Sequence, residues 1–269
     1  AGGDLMAHAI PIWLVDAFSD RNFGGNPAAV CELAQWLPDE RLLAMAREHN
    51  QSETAFFVRD ATGIGLRWFT TRGEVNLCGH ATLATAHVLF RHLDYPEPAI
   101  RFTTASGTLR VSREGEWLTL DFPAGDSVEQ TPPVAMLDAL GIRRYLAARK
   151  GRAWLIELAD ARQVADLAPD IHSMIPGEHK VTVTAKGEGK YDFVSRFFSP
   201  GEAVWEDPVT GSAHTMLIPY WSEKLGRNSL LARQISFRGG DVRCVLNNDR
   251  VLMAGQATTW MKGTILPCH

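Results

Sequence analysis

Glu53 lies in the segment Asn50–Thr54, just ahead of the apolar run Ala55–Val58. A carboxylate at the mouth of so apolar a strand can be partly desolvated. Burial penalises the charged form, raises the pKa and makes such a group a proton shuttle near neutral pH. A solvated loop carboxylate would have the same neighbours in sequence. Two further stretches, Cys78–Thr82 (CGHAT) and Asp207–His214 (DPVTGSAH), each run into a segment of helical character. A helix N-terminus presents unpaired backbone N–H groups and a partial positive charge, and glycine there lets an anion approach closely. Gly79, Gly211 and Ser212 are therefore candidates to hold a substrate carboxylate. Purely structural roles fit the same residues: Gly79 as a packing glycine, Ser212 as an N-cap, Asp207 as a turn starter before Pro208. His80 is either a capping or core histidine, or a donor and second proton carrier. His214 fits a plain helix-face position. A thiol at a helix start, as at Cys78, has a lowered pKa. No neighbouring base is identifiable for it in the sequence, so a small buried cysteine is the preferred reading.

These groups need a scaffold. The patterning predicts strands over 11–18, 28–33, 54–59, 65–70, 99–105, 108–113 and 117–122, with a Gly- and Asn-rich loop over 20–27. Helices are expected over 38–49 and 79–92. The first has Pro38, Asp39 and Glu40 at its positive end and Leu42, Met45 and Ala46 on one face. The core face of the second would include Leu83, Ala86 and Phe90. Residues 123–133, with three prolines and a glycine, read as a linker. Beyond it, helices are expected over 135–140, 161–167 and 211–225, stopped at Gly141 and Gly226 in the first and last cases. Pro219 predicts a kink or early end in the long helix. Strands are expected over 153–158, 180–184, 191–198, 234–237, 242–246 and 251–255, then an apolar piece to Leu266. This divides the chain into an N-terminal lobe (6–126) and a C-terminal lobe (127–257). Residues 1–5, ahead of Met6, read as a cloning remnant.

The two halves share a pattern. Phe69 leads to Cys78 in nine residues and Phe198 leads to Asp207 in nine, each through a loop with a glutamate, Glu74 or Glu202, before a small-residue turn and a helix. A weak internal duplication explains this economically, although strand–Gly–helix units are common. Two lobes of like construction imply a cleft, with both helix N-termini able to face a common point.

A chain of 269 residues, 45% hydrophobic and with net charge −4, has ample core and no basic stripe for nucleic acid or a membrane surface. The apolar stretch 76–90 is too short for a bilayer and is interrupted by Gly79, His80 and His87. Four scattered cysteines without a C-x-x-C pair fit free thiols in a cytoplasmic setting. No metal-binding cluster is legible, and His87 and His92 are poorly spaced for one helix face. No G-x-G-x-x-G or phosphate loop suggests an organic cofactor.

Four motifs occur in order: Asn22–Val30 (NFGGNPAAV), Gln51–Ala55 (QSETA), Leu77–Thr82 (LCGHAT) and Glu206–His214 (EDPVTGSAH), with Val251–Ala257 (VLMAGQA) closing. In this order they resemble the phenazine-biosynthesis PhzF-like family over nearly the whole chain. The resemblance implies an α+β fold like diaminopimelate epimerase. Each of two similar lobes would be a mostly antiparallel sheet wrapped round a central helix, with the active site in the cleft between them. The chain end, about 258–269, would be able to return to the first lobe, and a homodimer is expected. The family's acid/base glutamate falls on Glu53, its Gly–His pair on Gly79 and His80, its aspartate on Asp207 and its Gly–Ser pair on Gly211 and Ser212. Ser52 and Asn26 match positions lining the same cleft. The implied activity is cofactor-independent isomerisation of a small carboxylate-bearing metabolite. An amino-acid-type racemase or epimerase, or an inactive binding protein, are the alternatives, and a metal-assisted hydrolase is the weakest. Two-thiol epimerases of this fold use one cysteine from each lobe; Cys78 matches one such place and Asp207 the other, which disfavours that mechanism. Thr71, Arg72 and Asn76 depart from the Thr-Pro and acidic residue common before the Cys-Gly-His motif. Arg72 would add a cation near the expected mouth.

Overall fold

The computed structural model describes residues 8–266, so the proposed remnant at 1–5 lies outside the described residues. The described chain forms two compact units: residues 8–23, 27–120 and 255–266 in the first, 24–26 and 121–254 in the second.

The first unit opens with β1 (Ile10–Ala17), β2 (Asn26–Leu33), α1 (Asp39–His49), β3 (Glu53–Asp60), β4 (Gly63–Phe69) and β5 (Glu74–Val75). It continues with α2 (Gly79–His92), β6 (Ala99–Thr104), β7 (Gly107–Glu114) and β8 (Trp117–Pro123). β3 runs parallel to β2 and antiparallel to β4, which in turn pairs antiparallel with β5 and parallel with β6. β7 and β8 continue the sheet antiparallel. Thr54–Val58 of β3 is buried throughout, as in a strand covered on both faces. α1 buries Leu42, Met45 and Ala46, as its spacing predicts, and ends on the left-handed Asn50. α2 buries every residue from His80 to Ala86. A helix buried on every side over two turns is enclosed, which makes α2 the central helix of this unit.

The second unit contains β9 (Val128–Glu129), α3 (Val134–Leu140), β10 (Ala147–Lys150), β11 (Trp154–Glu157), α4 (Ala161–Ala165) and β12 (Val181–Lys186). β13 (Phe193–Phe198), β14 (Glu206–Asp207), α5 (Gly211–Leu225), β15 (Ser229–Gln234), β16 (Gly240–Asn247) and β17 (Arg250–Gly255) complete it. Its pairings repeat those of the first unit: β11 parallel to β12, then β12–β13 and β13–β14 antiparallel, β13–β15 parallel, and β15–β16–β17 antiparallel. The internal duplication is thus topological, with α5 in the place of α2. The last strand, β18 (Ala257–Ile265), pairs antiparallel with β1.

Several expectations need correction. The stretch 123–133 is not a bare linker, because Val128 and Glu129 pair with Lys150 and Arg149. α5 does not end at Pro219 but runs to Leu225. Proline has no N–H for the carbonyl four residues back. That carbonyl, on Thr215, instead accepts a hydrogen bond from the Gly125 N–H at 2.9 Å. A Cβ on Gly125 would sit 2.9 Å from Thr215 Oγ1 and 3.1 Å from Met216 Cγ, so glycine is what allows the approach. The strand expected over 234–237 lies earlier, at Ser229–Gln234, where it pairs with β13 and β16. Finally, His87 and His92 do meet: each Nε2 reaches Thr259 Oγ1, at 2.9 and 2.8 Å, because His92 ends α2 and β18 passes there.

Candidate active site

In the first unit, parallel pairing of β2 and β3 sets Ala28 beside Glu53, at the strand's first position. α2 begins at Gly79, with Cys78 extended at its N-cap. The Cys78 carbonyl accepts from Thr82 N–H at 3.1 Å and Thr82 Oγ1 at 2.6 Å, which fixes the first turn. These constraints gather four of the residues singled out above around the His80 ring. His80 Nε2 lies 3.3 Å from Glu53 Oε2 and 3.3 Å from Ser52 Oγ, and Nδ1 lies 3.4 Å from Cys78 Sγ. Ser52 Oγ also donates to the Pro27 carbonyl at 3.4 Å. His80 and Cys78 are buried, while the Glu53 side chain keeps 21% of its exposure. Glu53 is the most exposed of these three side chains, although its Oε2, which faces His80, is itself buried. An imidazole carrying its proton on Nε2 suits the two hydrogen-bond contacts, with the thiol donating to Nδ1 and Nε2–H donating to Ser52 Oγ, while Glu53 Oε2 stands near the same nitrogen. Cys78, which lacks a visible base in the sequence, has one here. Arg72 is exposed in the turn between β4 and β5, its N–H bonded to Thr70 Oγ1 at 3.1 Å.

In the second unit Asp207 is held by its neighbours. Asn26 Nδ2 donates to Asp207 Oδ1 at 2.8 Å and to the Val209 carbonyl at 2.9 Å; Thr210 Oγ1 donates to Oδ2 at 2.6 Å. Gln234, fully buried, donates to the Asp207 carbonyl and to Thr210 Oγ1 while its Oε1 accepts from Thr210 N–H. Asn26 is completely buried, so it positions Asp207. Gly211 starts α5 and Ser212 is its second residue, exposed; the N-cap is Thr210, not Ser212. His214 is a buried capping residue whose Nδ1 meets the Thr210 carbonyl at 2.7 Å. Burial pushes its pKa down to about 4, which keeps the ring neutral.

The strand register refines the duplication. Glu74 pairs with Phe69, and Glu206, not Glu202, pairs with Phe198. Each glutamate takes a two-pronged bond from the arginine two residues before that phenylalanine: Arg67 on Glu74 at 2.7 and 2.6 Å, Arg196 on Glu206 at 2.7 and 3.0 Å. Each guanidinium also lies over its phenylalanine ring, at 5.2 and 4.9 Å. Counted from these glutamates, both helices begin five residues on, so Cys78 corresponds to Thr210 and His80 to Ser212. Asp207 corresponds to Val75 and not to Cys78. Arg67, Arg196, Thr210 and Gln234 were not singled out in the sequence. The repeated Arg-x-Phe at 67–69 and 196–198 was the available signal for the first two.

The family model for phenazine biosynthesis-like protein (PhzC-PhzF) matches residues 15–263. An uncharacterized isomerase of Pseudomonas aeruginosa is 48% identical over 258 residues, covering 95% of this chain and 98% of its own length. A bovine phenazine biosynthesis-like domain-containing protein is 37% identical over 285 residues, covering 95% and 99%. Among solved structures, a PhzF-family protein of Enterococcus faecalis superposes with a TM-score of 0.92 at 42% identity, over 96% of this chain and 99% of that one. A hydroxyproline epimerase of Agrobacterium vitis matches at 0.57 and 12% identity, over 96% and 93%, a likeness of fold alone. With the duplicated α+β architecture and the ordered motifs, these matches show that the chain belongs to the phenazine biosynthesis-like, PhzF family.

Proposed function

We propose that the protein is a cofactor-independent isomerase that relocates a proton on a small carboxylate-bearing metabolite, with Glu53 as its acid/base group. The observation that carries this is the convergence of Glu53, Ser52 and Cys78 on the His80 ring at the start of the buried helix α2. Glu53 takes a proton from substrate carbon and returns it to another position of an activated or conjugated skeleton. His80 orients the carboxylate and shares the proton. In the second unit Asp207, fixed by Asn26 and Thr210, is a further polar anchor or proton partner, and the helix starts at Gly79 in one unit and at Gly211 and Ser212 in the other offer N–H groups to a carboxylate. The protein acts as a cytoplasmic homodimer. Relatives named as isomerases support the reaction class.

Geometry disfavours the racemase alternative that uses Glu53 and Cys78 as opposed bases. The two bases would flank one carbon at about 3–3.5 Å each, and so stand about 6–7 Å apart. Their reactive atoms, with a His80 nitrogen, instead lie within 4.8 Å of one another.

The test is incubation in heavy water with a panel of small carboxylates, cyclic dienes and amino acids included, followed by mass spectrometry and NMR. Turnover in the wild type should fall by about 10²–10⁴-fold in Glu53→Gln. Undiminished turnover in that variant would remove Glu53 as the base.

A further inference from the structure

We propose that Glu53, Cys78 and His80 form a binding site for one soft divalent cation of the zinc class. The three side chains bring a carboxylate oxygen, a thiol sulfur and an imidazole nitrogen within 4.8 Å of one another, around a buried helix start. Sulfur, nitrogen and oxygen donors together are the set that zinc takes, and a three-residue set leaves its fourth position open. The spacing agrees as well. Tetrahedral zinc, with bonds of about 2.3 Å to sulfur and about 2.0 Å to nitrogen, holds those two donors about 3.5 Å apart. Cys78 Sγ and His80 Nδ1 stand at 3.4 Å. Glu53 supplies a carboxylate oxygen within 4.8 Å of the sulfur and of a ring nitrogen, and it rests on the Nε2 side of the ring at 3.3 Å. A metal held by Sγ and Nδ1 therefore requires this carboxylate to move toward the Nδ1 edge. Binding displaces the thiol proton into solvent.

The backbone already holds two of the donors in place. Cys78 is extended at the N-cap and its carbonyl is bound twice by Thr82, so the sulfur and the imidazole are presented by a rigid turn. Little chain entropy remains to be lost on binding. The site is separate from the histidine pair at the far end of α2, where His87 and His92 share Thr259.

Metal binding stands independently of the proposed isomerase activity. Only its consequence rests on that activity: a cation on Glu53 and His80 would block the proton transfer, so zinc would inhibit.

The experiment titrates the full chain with Co²⁺, a spectroscopic stand-in for zinc, and then displaces it with Zn²⁺. One Co²⁺ per chain should bind with tetrahedral d–d bands and a sulfur-to-cobalt charge-transfer band, both removed by stoichiometric Zn²⁺. Cys78→Ser should abolish the charge-transfer band, and Glu53→Gln should weaken binding by at least about tenfold. Circular dichroism of both variants checks that they fold, and Glu53→Gln keeps the test open should Cys78→Ser fail to fold. Absence of binding at excess Co²⁺ would overturn the proposal. So would a spectrum unchanged in Cys78→Ser, or binding lost instead in His92→Gln, since either places the metal elsewhere. Zinc binding without inhibition of an established turnover would leave the site standing and count against Glu53 as the base.

Discussion

At the start of α2 the N-cap is Cys78, followed by Gly79 and His80; at the start of α5 it is Thr210, followed by Gly211 and Ser212. Both caps are extended, and both caps' carbonyls are taken by the residue four places on, Thr82 in one unit and His214 in the other. Both helices are reached from a two-residue strand whose first glutamate is clamped by an arginine. The frame is therefore shared, and the chemistry on it is not. The first unit turns a thiol, an imidazole and a carboxylate toward each other. The second turns hydroxyl and amide donors toward one carboxylate, Asp207. A duplicated scaffold can keep its backbone bonds, which every copy needs, while the few side chains at the helix start diverge.

The arginine clamps give the largest expected difference. Arg196 is 9% exposed, and besides Glu206 it bonds the carbonyls of Val164, Ala165 and Leu167 through Nη1 at 3.2, 3.2 and 2.8 Å. Arg196→Met leaves Glu206 and these carbonyls without their donor and should cost about 3–5 kcal/mol in urea unfolding. Arg67 holds Glu74 and Asp39, but its side chain is 23% exposed and theirs are 33% and 73%. Arg67→Met should cost no more than about 1 kcal/mol. Equal losses would mean that the two clamps are not the deep and shallow versions of one device.

The carbonyl-capturing residues should separate the units by pH. Thr82 does not titrate, whereas His214 has its pKa lowered to about 4 by burial. The unfolded histidine, with a pKa near 6.5, binds more protons than the folded one between these values, so stability rises with pH across the window. The contribution is complete above about pH 6.5 and is lost as pH falls toward 4, by about 3 kcal/mol. His214→Leu should flatten the stability curve there by about one proton, while Thr82→Val should leave its slope unchanged. His87, also lowered to about 4 by burial, adds a similar slope in both variants. A slope unaltered by His214→Leu would place the acid sensitivity elsewhere.

The caps themselves should differ least. Thr210→Val removes a bond to the Asp207 carboxylate and should cost about 1.5–3 kcal/mol, or the equivalent in melting temperature. Cys78→Ala loses a neutral thiol contact to His80 and should cost less. A larger loss at Cys78 would make the thiol a structural anchor.

Much of this was legible along the chain. α2 and α5 are marked by glycine at the start and, for α5, by Gly226 in the left-handed region at the end. Local signals of this kind act within a few residues, so a linear reading captures them. Glu53, His80 and Cys78 were likewise visible as residue types. Other features depend on contacts between distant segments. Pro219 looked like a helix break because its rescue comes from Gly125, ninety-four positions earlier in the chain. Counting nine residues from each phenylalanine sets Asp207 opposite Cys78, three residues short of Thr210, since only pairing of β13 with β14 reveals that Glu206 faces Phe198. Buried Gln234 and Asn26 carry no local mark of their task, because the carboxylate they serve is far off in sequence.

By itself, then, the order of motifs determined the α+β class, the helix starts and the residue types able to move a proton, because these follow from local backbone preference and side-chain chemistry. Tertiary structure alone decided that His80 joins Glu53 to Cys78, that Thr210 and not Asp207 is the counterpart of that cysteine, and that a proline can sit within α5. Each of these turns on distances between segments brought together by sheet pairing and helix burial, and no window of neighbouring residues contains them.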